Sequence, residues 1–233
     1  MDDILIFTET LTEHCYVTQE VLATLHQHRL FLKPEKCKFE CQEIDYLGLV
    51  VSKDHVGMDP VKVQGVMDWP IPTRVKEVQS FLRFINFYQQ FIWNFSEITC
   101  PLHVLTWKSK TWSWGTPEQQ AFEALKAAVT SAPVLTFPSD SGHFCLECDA
   151  SNFATGAVLS QLQADGAFHP VAFMSKGFLD VEWNYQIHNK EMLAIIWALE
   201  EWCHFLEGTT EKFEVFTDHK NLSYFHVAQK LNH

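Results

Sequence analysis

The chain has 233 residues, 47% of them hydrophobic, and a formal net charge of −12. That is enough chain to bury a core as one large domain or two small ones, and nine Gly and nine Pro with no long single-sign run exclude a low-complexity polymer. The acidic N-terminal stretch MDDILIFTET lacks the basic and apolar regions of a secretory signal, and no apolar run approaches membrane-spanning length, so an intracellular protein is expected. Seven Cys, an odd number without a regular framework, suit a reducing compartment. Charge is unevenly spread: residues 1–110 carry 11 basic and 14 acidic side chains, and residues 111–233 carry 6 and 15. Any surface that grips a polyanion is therefore expected mainly in the first half.

In chain order, Asp2-Asp3 followed by ILIF predicts a turn running into a buried strand. Residues 12–28 show helical spacing at Val17, Val21, Leu22 and Leu25. KCKFE and YLGLVVS, rich in β-formers, predict a hairpin that ends at Gly57 and Pro60. Asp59-Pro60 places a cap and a first-turn proline before a short helix ending near Trp69-Pro70. Residues 73–93 predict one long helix with Thr73 as its cap and an apolar stripe through Val75, Val78, Leu82, Ile85 and Ile92. Its rings Phe81, Phe84, Phe87, Tyr88 and Phe91 are read as core, with base stacking as the lesser alternative.

Residues 107–117, with three Trp, a Gly and a Pro, mark a boundary, and a helix at about 117–130 opens the second half. HFCLECDA, TGAVLSQL and HPVAFMS predict three strands, a helix follows from about Ile187 to Leu206, and KFEVFTDHK supplies another strand. The class is α/β (α+β), a mixed sheet with helices packed on it.

Two strand ends and one helix carry the chemistry. Asp149 closes the first of these strands and Asp218 closes the last, while Glu191 lies in the first turns of the long helix, with Leu193, Ile196 and Trp197 expected to face the sheet. If the strands are neighbours, the three acids converge. Carboxylates so placed repel one another unless a cation neutralises them, and all-oxygen ligation favours Mg²⁺ or Mn²⁺. The plainer alternative is that each acid is a solvated strand end or helix cap. Cys145 and Cys148 form a CxxC, but three apart on a strand they face opposite sides of a sheet and make a poor zinc pair.

CDAS, AVLSQ, DGAFHPVAFMS, NYQIHNKE, HNKEMLAIIWALEEW and FTDHKNLSYF resemble the ribonuclease H segment of gypsy-type long-terminal-repeat retroelement polyproteins. MDDILIF resembles the tail of the polymerase YxDD motif; LKPEKCKFE, YLGLVVS, GMDPVKV, DWPIPTRVKEVQSFLRFINFYQQFI and APVL resemble the palm end, thumb and connection of the same enzymes. The resemblance implies a C-terminal part of a reverse transcriptase over 1–110 and a ribonuclease H-like domain over 111–233. It implies metal-dependent hydrolysis of the RNA in RNA/DNA hybrids, with Asp149, Glu191 and Asp218 as catalytic metal ligands. It also implies a polymerase carboxylate pair at Asp2 and Asp3, with Asp2 binding metal, and nucleic-acid contacts at Arg74, Lys76, Arg83 and Asn221.

There are departures. The family's other palm aspartate would precede residue 1, and its fourth nuclease acid would follow residue 233, so polymerisation is not expected of this chain alone and the nuclease site is expected to be weak. Arg83 replaces a usual Gly, Asn189 a usual Asp and Cys148 a usual Thr. The competing reading is a noncatalytic retroelement relic or a module that binds nucleic acid or protein.

Overall fold

A computed structural model describes residues 3–139, 142–207, 209 and 212–218, which fall into two compact units divided after Asp59.

The first unit holds helix α1 (Leu11–Gln27) and strands β1 (Glu43–Tyr46), β2 (Leu49–Ser52) and β3 (His55–Met58). Thr10 caps α1, its side chain accepting from the Glu13 backbone N–H. Val17, Val21 and Leu25 are half-buried as the spacing implies, whereas Leu22 is exposed. The ILIF segment is not a buried strand: Phe7 is 86% exposed, and a β-type run becomes a strand only when its backbone groups find a partner.

The hairpin is also shifted from its expected place. β1 is EIDY rather than KCKFE, and it pairs antiparallel with β2 with Tyr46 opposite Leu49. Leu47 and Gly48 both have positive φ, 50° and 83°, so a two-residue turn of the kind that matches strand twist sets the register. The Leu-Gly pair inside YLGLVVS is the turn that separates the two arms.

In the second unit, helix α2 (Pro60–Met67) starts at the expected proline. Its final carbonyls, with that of Trp69, are reached by Lys126, whose Nζ donates to Met67 O at 2.8 Å and Trp69 O at 2.6 Å. Residues 73–93 are not one helix. Helix α3 (Val75–Asn86) ends, a 3₁₀ turn covers Gln89–Phe91, and helix α4 (Phe95–Leu105) begins after Asn94 at φ 53°. The apolar stripe runs unbroken past the end of α3, since Val78, Phe81, Leu82, Ile85, Tyr88, Phe91 and Ile92 are all buried. The break therefore leaves no mark in the spacing; the signal is Asn94, a residue type that tolerates left-handed backbone.

Thr73 does not cap α3 by accepting. Its N–H and Oγ1 donate to Glu77 Oε2 at 2.9 and 3.0 Å, so the carboxylate reaches back to the chain entering the helix. Of the ring set, Phe81, Tyr88 and Phe91 are core and Phe87 is 48% exposed. Helix α5 (Thr116–Ser131) packs Phe122 on Phe81 with ring centroids 4.7 Å apart, and Trp114 donates to Gln119 Oε1 and packs on Phe122.

After the two-residue strand β4 (Leu135–Thr136) come β5 (Phe144–Ala150), β6 (Ala154–Leu162), β7 (Phe168–Gly177) and β8 (Glu214–Thr217), in spatial order β7-β6-β5-β8. β5, β6 and β7 form an antiparallel meander, and β8 joins β5 in parallel. Helices α6 (Ile187–Glu201) and α7 (Cys203–Leu206) split the expected single helix at Trp202. One sheet face, with Leu146, Cys148, Ala157 and Leu159, packs on Ala194, Ala198 and Trp202. Ile196, expected to face the sheet, is 43% exposed; the alanine stripe takes that place and lets the helix approach closely.

The other sheet face carries α4. Ser175 Oγ accepts from Ser96 N at 2.9 Å and donates to Thr155 O at 3.0 Å, and Trp93 packs edge-on against Phe173. Gly156, the cross-strand partner of Asp149, lies under Asn94, and a Cβ there would overlap Asn94 Oδ1. Gly156→Ala is predicted to cost about 1–3 kcal/mol in urea unfolding, as overpacking does. Asn94→Gly suits the left-handed backbone and sacrifices no side-chain cap bond, so the double variant should recover most of that loss. An equal loss in single and double variants would disprove the contact.

Candidate metal centre

The parallel register of β5 and β8 sets Cys148 opposite Thr217, so the next residues, Asp149 and Asp218, occupy adjoining positions at one sheet edge. β7 ends at the same edge, because Gly177 pairs with Ala154 where β6 begins. The chain then enters α6, whose fifth residue is Glu191. Each of Asp149, Glu191 and Asp218 offers a carboxylate oxygen within 4.8 Å of the others.

Burial grades across the cluster. Asp218 is exposed, Asp149 is half-buried and Glu191 is only 2% exposed. Burial, then the charges of Asp218 and Asp149, push the Glu191 carboxyl up to about 7. A hydrogen bond from Thr217 Oγ1 to Glu191 Oε2 at 3.3 Å and one from the Ala150 backbone oppose that rise. The donor set is three hard oxygens with converging negative charge, which suits a hard divalent cation, and a cation there would turn mutual repulsion into attraction.

The CxxC thiols do not join the centre. The cluster of converging ligand atoms comprises the three acids alone among the described residues; burial and then the Glu191 charge push the Cys148 thiol up to about 12, and burial also raises Cys145.

The other sequence candidates lie elsewhere. Asp2 and Asn221 fall outside the described residues. Asp3 is exposed in the first unit, on a stretch without regular structure. Arg74, Lys76 and Arg83 are exposed along α3; Lys76 and Arg83, seven apart, share a helix side, and Arg74 Nε pairs with Glu77 Oε1 at 2.7 Å. Sequence reasoning missed Thr217, which donates to Glu191, and Lys190, which is buried one residue before it. The threonine before Asp218 was readable only with the register known.

Residues 114–215 match the model for the RNase H-like domain found in reverse transcriptase, and residues 1–51 match that for reverse transcriptase (RNA-dependent DNA polymerase). The Transposon Tf2-3 polyprotein of Schizosaccharomyces pombe is 37% identical over 222 residues, 95% of this chain and 17% of that protein. The Tf2-7 polyprotein of the same organism is 36% identical over the same extent. The chain thus spans about a sixth of the length of these relatives.

Among solved structures, a foamy viral protease-reverse transcriptase in complex with dsDNA superposes with a TM-score of 0.74 at 21% identity, covering 96% of this chain and 46% of that one. Another, in complex with RNA/DNA hybrid, gives 0.72 at 21% identity, covering 94% and 30%. The chain belongs to the reverse transcriptase and RNase H-like family of retroelement polyproteins.

Because the folded-state pKa of Glu191 is raised above that of an unfolded Glu, its neutral form is the one the fold favours. That contribution is complete below about pH 4.5 and is lost as pH rises through about 7. Without divalent metal, Glu191→Gln is therefore predicted to match wild type at pH 4.5 and to exceed its stability at pH 8 by roughly 1–3 kcal/mol. Denaturant unfolding at the two pH values measures this, and a variant that is less stable than wild type at pH 8 contradicts it.

Proposed function

We propose that residues 111–233 act as a ribonuclease H-like domain that hydrolyses the RNA strand of RNA/DNA hybrids with Mg²⁺ or Mn²⁺, and that residues 1–110 are the C-terminal part of a reverse transcriptase. The observation that carries the nuclease reading is the convergence of Asp149, Glu191 and Asp218 from two strands and a helix. A divalent ion there would supply Lewis-acid stabilisation of the phosphate oxygens and lower the pKa of a bound water.

The chain's own residues do the rest. Asp149 and Asp218, fixed by adjoining strands, would hold such an ion from the sheet edge, and Glu191 would hold it from beneath, its carboxylate oriented by Thr217. Among the described residues, exposed Asp218 and half-buried Asp149 form the outer side of the centre, where a scissile phosphate would approach. Arg74, Lys76 and Arg83 are proposed to meet the nucleic-acid backbone, since exposed cations on one helix bind phosphates without reading bases. For the first half, the carboxylate pair Asp2-Asp3 is proposed as the polymerase motif of the whole enzyme, the copying of RNA into DNA being assigned to that enzyme rather than to these residues alone.

Incubation of the chain with a labelled RNA/DNA hybrid and Mg²⁺ or Mn²⁺ tests the nuclease reading. Cleavage is expected to fall at least about a hundredfold in Asp149→Asn and in Asp218→Asn, because each removes a charge the metal requires. Cleavage no faster in wild type than in Asp149→Asn would favour the noncatalytic relic instead.

A further inference from the structure

We propose that Lys190 is a positioning residue, clamping the β5–β6 turn onto the first turns of α6 and so fixing the spacing of Asp149 and Glu191; this rests on the metal-centre reading. Lys190 is 4% exposed, and burying an ammonium costs several kcal/mol unless it is well paired. Among the described residues, its partners belong to the approach to the centre. Nζ donates to the Asn152 carbonyl at 3.1 Å and sits 5.1 Å from the centroid of the Phe178 ring. Asn152 comes three residues after Asp149, and Lys190 directly precedes Glu191.

The turn it holds behaves as one piece. Ser151 N donates to Ala154 O at 2.9 Å, and Ser151 Oγ accepts from Phe153 N and Ala154 N. The Phe178 N–H donates to Phe153 O at 3.0 Å, so the ring beneath the ammonium is tied to the same turn. Phe178 in turn packs on Trp197, 6.0 Å between centroids, and Lys176 caps Trp197 at 3.9 Å. A rigid turn anchored at Asn152 transmits any shift to the end of β5, where Asp149 stands. A leucine at 190 would fill the slot and would not grip the carbonyl.

The test is Mn²⁺ binding by the full chain, read from the electron paramagnetic resonance of free Mn²⁺, beside thermal melts. Lys190→Met is expected to weaken binding about tenfold or more, in the range that losing an outer-shell partner produces, and Lys190→Arg to restore most of it. Leu125→Ala, a core truncation with a comparable drop in Tm, should leave affinity within about twofold because α5 packs chiefly on α4 and α2. Wild-type affinity in Lys190→Met, or an equal loss in the Leu125→Ala control, overturns the proposal. If Lys190→Met does not fold, Phe178→Leu decides: about threefold weaker binding supports the clamp, on the scale of a lost cation–π contact, and unchanged binding overturns it. Absence of Mn²⁺ binding in wild type would instead sink the metal centre itself and this inference with it.

Discussion

The centre depends on the parallel pairing of β5 with β8. An antiparallel partner would carry its final acid to the opposite sheet edge, whereas the parallel register sets Asp149 and Asp218 side by side. Parallel strands need a crossover, and here it is α6, which starts at the edge where β7 and β5 end and returns to the start of β8. A helix that starts there places its first turns over the two aspartates. The fifth residue of that helix is Glu191, and the alanines beneath it draw the helix close enough for the three carboxylates to meet.

That arrangement costs stability, as close like charges do. Glu191 is buried against two like charges, and its carboxyl is held near neutrality to about pH 7. The neighbouring Lys190 is buried too, yet it is turned to a backbone carbonyl and a ring rather than to an acid. Among the described residues the three carboxylates have no cationic partner, and a divalent ion would neutralise them. The second half also carries the larger negative balance, 6 basic against 15 acidic side chains, while Lys76 and Arg83, proposed to meet phosphates, are exposed on α3.

The sequence was most legible where periodicity and punctuation agreed. The strands around FCLECDA, ATGAVLSQL and FHPVAFMSKG and the helix at 187 all form, and the acids at two strand ends and one helix start meet as their order implied. It was least legible where tertiary contacts decide. ILIF has a strand composition without strand geometry, and the helix between Val75 and Leu105 breaks although an unbroken apolar stripe would suit one straight helix. The hairpin register turned on Leu47-Gly48, two residues of positive φ hidden inside a β-rich run. Within the centre, the acids could be named from sequence, but Thr217, Lys190 and Gly156 could not, because their roles exist only once register and packing are fixed.

The most direct test is a crystal of the chain soaked in Mn²⁺ and measured for anomalous scattering. A peak at about 2.0–2.3 Å from carboxylate oxygens of Asp149, Glu191 and Asp218 is predicted, lost in Asp149→Asn. No peak at saturating Mn²⁺, with the three side chains turned apart, would contradict the claim that this fold builds a metal centre.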